Sequence, residues 1–182
     1  ASWRKWSSLS KVVSLRCLSE VENQRRAFQN IFRLLKDGGD ILVLLTINSY
    51  FYDLVNTVLQ RGRWSRYFKG KYVIPESHTR GFTAEHYRNL LHSAGFVQIT
   101  IVDMPQMVTY KNAFEFRDDV FHSSLCSSVP GECRQDFAQE VFLCAEMNRF
   151  KNDPSAYLEI GYNTLWIHAG KTMPFKKRPY PN

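Results

Sequence analysis

"LLKDGGDILVLL", residues 34–45, is the stretch on which the fold of this chain turns. It reads as a helix end, a glycine pair and a strand, Ile41–Leu45, that is apolar on both sides. A strand without a polar face needs cover above and below, as in the parallel sheet of an α/β fold that binds nucleotide-like cofactors. Gly38 or Gly39 supplies the left-handed residue that stops the helix. Such folds hold their ligand on a glycine-rich turn after the first strand. The nine glycines contain no GxGxxG, GxGxG or Walker-type spacing. No acidic residue closes a second strand where a ribose would be gripped. Either the domain binds no such cofactor, or the turn is encoded upstream of Ala1.

Moving toward the start of the chain, "VVSLRCL" (Val12–Leu18) is β-branched and apolar and reads as a short strand. In "SEVENQRRAFQNIFRLLK", Ala27, Phe28, Ile31, Leu34 and Leu35 share one helical face. With Ile41–Leu45 this makes a β-α-β unit, whose two strands should be parallel neighbours or near neighbours. Toward the end of the chain, "NSYFYDLVNTVLQRGRWSRYF" is aromatic-rich and helical. "GKYVIPESHTRG" is irregular, broken by Pro75 and Gly81. Thr83 is an N-cap with Glu85 in the first turn. Tyr87, Leu90, Leu91 and Ala94 form the next helix face, Gly95 ends it, and "FVQITIVDM" alternates as a less buried strand. "AFEFRDDVFHSSL" and "GECRQDFAQEVFLCAEMNRF" read as two helices, the second placing Phe137, Val141, Cys144 and Ala145 on one face. "YNTLWIHAG" is a closing strand and "KTMPFKKRPYPN" a Pro-rich tail. The organisation is one α/β domain over residues 1–171 and a tail over 172–182.

The chain has 182 residues, enough for one sizeable core, and a formal charge of +7. A nucleic-acid or membrane surface needs concentrated positive charge, but the true basic run is only "KKR" at 176–178. "RGRWSRYFKGK" at 61–71 interleaves five further cations with aromatics, as a solvated helix face or the lining of an anionic ligand's approach. Cys17, Cys126, Cys133 and Cys144 form no CxxC pair, and the five histidines lack ligand spacing; reduced thiols in a cytoplasmic protein without a metal site are expected. The run Ile41–Leu45 is too short to span a bilayer.

"CLSEVENQRRAFQNIFRLLKDGGDILVLL", then "WSRYF", "FTAEHYRNLLHSAGF" and "LWIHAGK", resembles the C-terminal two-thirds of the juvenile hormone acid methyltransferase-like proteins of arthropods. These are class I S-adenosylmethionine-dependent methyltransferases. The resemblance runs from about Lys11 to about Lys171. It implies a Rossmann-like sheet, mostly parallel, with an antiparallel last strand at Leu165–Ala169. It also implies three further N-terminal β-α units, the first with the glycine turn. At ~30 residues per unit, roughly ninety residues would be absent.

The implied reaction moves a methyl group from the sulfonium of S-adenosylmethionine to a small hydrophobic carboxylic acid of the juvenile hormone acid or farnesoic acid kind. An acid with a pKa near 4 is already ionised at neutral pH. Alignment and removal of water, rather than a general base, then carry the rate; well-oriented reactants gain roughly 7–11 kcal/mol. The segment at the junction of cofactor and acceptor reads Cys-Leu-His-Trp in the family. Here it is Cys17, Leu18, Ser19 and Glu20, so the catalytic His and Trp positions carry Ser19 and Glu20. The main cofactor contacts would be upstream, with Ser14, Leu15, Cys17 and Leu18 as the contacts in this chain. Tyr50, Phe51, Trp64, Tyr67 and Phe68 are the implied candidates for the acceptor lining, although an aromatic cluster at helical spacing is core more often than pocket; His78 is a further candidate, as a loop histidine that approaches the acceptor or is simply exposed. Arg80 or Arg117 is a possible partner for its carboxylate; Met104 and Met107 are expected to pack.

Three functions compete. One is an acid methyltransferase fragment. The second is a non-catalytic methyltransferase-like binding or partner protein, motivated by Ser19 and Glu20. The third, nucleic-acid methylation, rests on charge alone, because "NDPSAY" at 152–157 only superficially resembles a base-methyltransferase motif. A small hydrophobic acid is the expected partner, with neither nucleic acid nor membrane. The open sheet edge beside Val12–Leu18 predicts poor solubility of the isolated chain.

Overall fold

The computed structural model describes residues 7–71, 73–149 and 158–172. The "KKR" run, the "NDPSAY" segment and most of the tail, from residue 173 on, lie outside the described residues. The chain divides into two compact units. The first is Ala1–Leu45 with Phe82–Met104 and Leu165–Asn182; the second is Thr46–Gly81 with Pro105–Thr164.

The elements of the first unit begin with β1 (Leu9–Leu15), a 3-10 turn (Leu18–Glu20) and α1 (Gln24–Leu34). β2 (Leu35–Ser49) starts in this unit and runs on into the second. The strand at Val12–Leu18 therefore sits earlier than expected, and Leu18 belongs to the turn after it. Asn23 starts α1, its Oδ1 accepting from the Arg26 N–H at 2.9 Å. The helix stops at Leu34, with Leu35 already extended. Gly38 does adopt a left-handed φ of 74°, but inside β2 rather than at the helix end. At Gly39 an added Cβ would meet the Ser10 carbonyl at 3.0 Å, so the second glycine allows β1 and β2 to approach.

After α2 (Tyr50–Gln60), α3 (Ser65–Phe68) and the single turn α4 (Glu76–Thr79) of the second unit, the chain returns to the first through α5 (Ala84–Ala94). Thr83 caps α5, its Oγ1 accepting from the His86 N–H. Gly95 ends it with φ 103°, and the Phe96 N–H reaches back to the Leu91 carbonyl at 3.1 Å. β3 (Val97–Tyr110) and β4 (Leu158–Gly170) are both longer than their expected strands.

The strand order is β1-β2-β4-β3. β1 and β2 are parallel, as the β-α-β reading expects, with Val13 opposite Leu42 and Leu15 opposite Leu44. Lys171, just past β4, exchanges backbone hydrogen bonds with the start of β2, Gly38 N–H to Lys171 C=O at 3.0 Å and Lys171 N–H to Gly39 C=O at 2.8 Å. The far end of β4 therefore meets the beginning of β2, which makes the last strand antiparallel. The sheet is mixed.

Cover on β2 is unequal. Ile41, Val43 and Leu45 are fully buried, whereas Leu42 and Leu44 are half-buried. Opposite residues of a parallel pair share a face, so Val13 and Leu15, 59% and 60% exposed, extend the open side. The strand expected to be covered above and below is sealed on one face only.

The second unit also contains α6 (Ala113–His122) and α7 (Arg134–Arg149). Phe137, Val141, Cys144 and Ala145 are buried in its core, as their spacing on α7 predicts, together with Leu54, Val58, Phe116 and Val120.

Candidate functional site

In the first unit the candidate residues gather at the carboxyl end of β1, the end of a parallel strand at which α/β folds bind ligands. Arg16 leaves the strand with φ 58°, a left-handed conformation uncommon for a residue other than glycine. Its N–H still reaches the Leu44 carbonyl at 2.8 Å. Cys17 is exposed, and its thiol donates to the Leu15 carbonyl at 3.3 Å. Leu15 is open to solvent, whereas Ser14 shares the face of Val43, and its hydroxyl is buried with no hydrogen-bond partner among the described residues.

The turn that follows is held from behind. The Leu18 carbonyl accepts from the Val21 N–H at 3.3 Å and from Gln24 Nε2 at 3.0 Å. Gln24 Oε1 in turn accepts from the Tyr87 hydroxyl at 2.7 Å. Tyr87 is fully buried, and Leu18 and Gln24 are each 8% exposed. Ser19 is buried and Glu20 exposed, so the two positions that carry His and Trp in the resembled family differ in environment as well as in chemistry. The spacing of Tyr87 signals its buried helix face, but its hydroxyl finds Gln24 63 positions away, a pairing that no local pattern signals.

In the second unit the acceptor candidates divide. Trp64 is 1% exposed, meets Phe137 edge-to-face at 5.3 Å, and donates its indole N–H to Glu140. Phe68, 5% exposed, lies against the same Phe137 ring at 5.6 Å. Both are core residues. Tyr50, Phe51 and Tyr67 are half-buried against that core. Phe68 also borders a cavity of about 350 Å³ with Leu59, Ser65, Arg66, Lys69 and Val73, which sets two cations beside an apolar floor.

His78 sits on α4 with Nε2 3.1 Å from Asp53 Oδ1 on α2. Its ring packs 5.4 Å from that of Tyr52. Asp53 was not singled out in the sequence, because a carboxylate 25 positions from a histidine carries no spacing signal. Arg80 pairs with Glu76 at 2.5 Å. Arg117 donates to Gln139 at 2.7 Å and covers the Phe114 ring at 4.7 Å. Met104 is half-buried, but Met107 is 61% exposed and does not pack as expected, because β3 outruns its cover there.

Burial pushes the Cys126 thiol pKa upward, with the Arg134 charge opposing. Tyr110 is pushed well above the ordinary phenol value by burial and by its 2.8 Å hydrogen bond to Asp119. Among the described residues no cluster of His, Cys, Asp and Glu could hold a metal ion, and no helix is long and apolar enough to cross a membrane.

The fold is the α/β, Rossmann-like fold of class I S-adenosylmethionine-dependent methyltransferases, with a mixed sheet. A candidate methyltransferase from Bacillus halodurans C-125 superposes with a TM-score of 0.51 at 13% identity, covering 92% of this chain and 72% of that one. The YcgJ protein of Bacillus subtilis superposes with a TM-score of 0.52 at 12% identity, covering 93% and 66%. In sequence the chain is similar to the juvenile hormone acid O-methyltransferase of Drosophila melanogaster, 23% identical over 172 residues, covering 90% of this chain and 57% of the relative. That of Bombyx mori is also 23% identical over 172 residues, covering 88% and 60%. The chain spans less than two thirds of the length of these curated relatives. No family model matches it.

Proposed function

We propose that this chain is part of an S-adenosylmethionine-dependent carboxyl O-methyltransferase acting on a small hydrophobic acid of the juvenile hormone acid or farnesoic acid type. The observation that carries this reading is the similarity to two juvenile hormone acid O-methyltransferases along nine-tenths of a chain with this fold. S-adenosylmethionine, when bound, supplies an electrophilic methyl group on a sulfonium. The carboxyl end of β1 offers one flank for such a group: the uncharged side chains of Leu15 and Cys17 are exposed there, with the Leu18 backbone beside them and the exposed Arg16 and Glu20 at the margins. Ser14 points to the buried face and would contribute through its backbone.

On this reading Tyr50, Phe51 and Tyr67 present half-buried aromatic surface to the acid, while Trp64 and Phe68 support it from the core. Apolar walls strip water from the carboxylate and make it a better nucleophile. A cytoplasmic location accompanies the proposal, with four cysteines free of disulfides. Incubating the full-length protein of which this chain is part with methyl-labelled cofactor and a panel of medium- and long-chain acids, then detecting the methyl ester by mass, tests it. Ester formation with an apolar acid is expected; none with any acid, while the cofactor binds, would overturn it.

The buried Ser19 and exposed Glu20 favour a second reading, a methyltransferase-like protein that binds the acid without methylating it. Acid binding without turnover, unchanged by restoring His and Trp at these two positions, would select that reading.

A further inference from the structure

β3 is the last strand of its sheet: β4 pairs one of its edges, and no strand of the described residues lies on the other. It is also long, at 14 residues. Near its start a side chain attends to the backbone, Arg88 Nη1 donating to the Ile99 carbonyl at 3.0 Å. Over residues 102–109 no backbone group has a hydrogen-bond partner outside the sheet among the described residues. Side-chain cover is missing there too. Residues 102–109 are exposed apart from the half-buried Met104, with Val102 at 46% and Met107 at 61%. A half-buried strand alternates between covered and open positions; this stretch does not.

A bare edge is a template for another strand, and proteins that keep one single blunt it with charge, above all lysine. β3 carries one charged residue, Asp103, and no lysine. Its one proline, Pro105, removes a single donor, which an edge tolerates. Lys111 follows one residue past the strand and is exposed. Neither Asp103 nor Lys111 forms an ion pair among the described residues.

Those two charges select a partner and a register. When a strand pairs antiparallel with its own copy about a two-fold axis, positions equally far from the axis face each other. An axis at Met107 sets Asp103 of each copy opposite Lys111 of the other, twice over. It also sets Met107 against itself, Gln106 against Val108 and Met104 against Tyr110. Every other register along the strand leaves Asp103 facing an uncharged residue or its own copy. Opposite charges directly across a pair of strands stabilise it and like charges destabilise it, so one register is favoured.

We propose that β3 is a dimerisation edge, pairing antiparallel with β3 of a second copy about a two-fold axis at Met107. The two sheets then continue into one another, and Met107 and Val108 are covered by the partner. The proposal is independent of the methyl-transfer reading. A contact confined to one strand edge is at the small end of specific interfaces, so the dimer should dissociate on dilution.

Analytical ultracentrifugation of the full-length protein over a wide range of concentration tests this. A reversible monomer–dimer equilibrium is expected. Asp103→Lys and Lys111→Asp should each weaken the dimer about tenfold or more, because each turns two attractive pairs into two repulsive ones. The double variant Asp103→Lys with Lys111→Asp should regain the parent's affinity, a rescue that a loss of folding would not show. Met107→Lys places two like charges on the axis and should leave a monomer with the parent's circular dichroism. A dimer indifferent to the charge exchanges places the contact elsewhere, and a monomer at every concentration leaves the edge to a strand of another protein; either result overturns the proposal.

Discussion

The hydroxyl of Tyr87 on α5 donates to Oε1 of Gln24 at the start of α1, 2.7 Å away, and Gln24 passes the constraint to the Leu18 carbonyl. Two helices thereby hold the turn that follows β1. Tyr87→Phe leaves Gln24 Oε1 buried and unpaired, at a cost of about 1–3 kcal/mol. Adding Gln24→Met should recover part of that loss, because Leu18 keeps its bond from Val21. Urea midpoints of the two variants check this; a Tyr87→Phe midpoint equal to the parent's would contradict it.

Gly95 and Gly62 make a matched pair. Both have left-handed backbones, φ 103° and 82°, but an added Cβ at Gly95 would stand 2.8 Å from the Phe32 ring, whereas at Gly62 it meets nothing within 4 Å. Gly62→Ala should cost only the backbone term, about 1–2 kcal/mol. Gly95→Ala adds overpacking and should cost roughly 2–5 kcal/mol in all. Thermal denaturation of the two variants measures the difference, and equal losses would mean that Phe32 moves aside freely.

Lys171 closes the end of α1. Its Nζ donates to the Leu35 carbonyl at 2.8 Å and the Phe32 carbonyl at 3.3 Å, and it lies 4.8 Å from the centre of the Phe32 ring. The cation complements the negative end of the helix dipole. Lys171→Met keeps the stem and removes the donors, and should cost about 1–3 kcal/mol. Hydrogen exchange of the last turn of α1 should rise in parallel; an unchanged exchange pattern would rule out the capping role.

Lys11 sets an acid limit on stability. Its hydrogen bond to Asp40, at 2.8 Å, holds that carboxyl below its ordinary pKa. Partial burial opposes the shift, while the charges of Lys11 and His168 reinforce it. A depressed folded-state value contributes stability above the unfolded value of about 3.9, and the contribution disappears as pH falls through the folded value. Stability should therefore drop on acidification below about pH 4, less steeply in Lys11→Met. Lys11 is 72% exposed, so added salt should narrow the gap between the two curves. Superimposable curves at low salt would exclude the pair as a contributor.

Local chemistry was enough to place most helices. Thr83 caps α5 because its hydroxyl reaches an N–H three positions on, and Gly95 ends the helix because its backbone turns left-handed. The buried faces of α5 and α7 follow from spacing alone. The parallel β1-β2 pair follows from the helical crossover between them, since parallel neighbours need a connection of that length. Tertiary structure decided the rest, because those outcomes depend on partners distant in sequence. The helix α1 stops before its glycines once Leu35 is drawn into β2. Trp64 and Phe68, aromatic and at helical spacing, suit a core more often than a pocket, and Phe137 on another helix places them in the core. Asp53 pairs with His78 only because α4 folds back against α2. Sequence determines what a residue can satisfy within one or two turns of its own backbone; which distant group it satisfies is settled when the chain closes on itself.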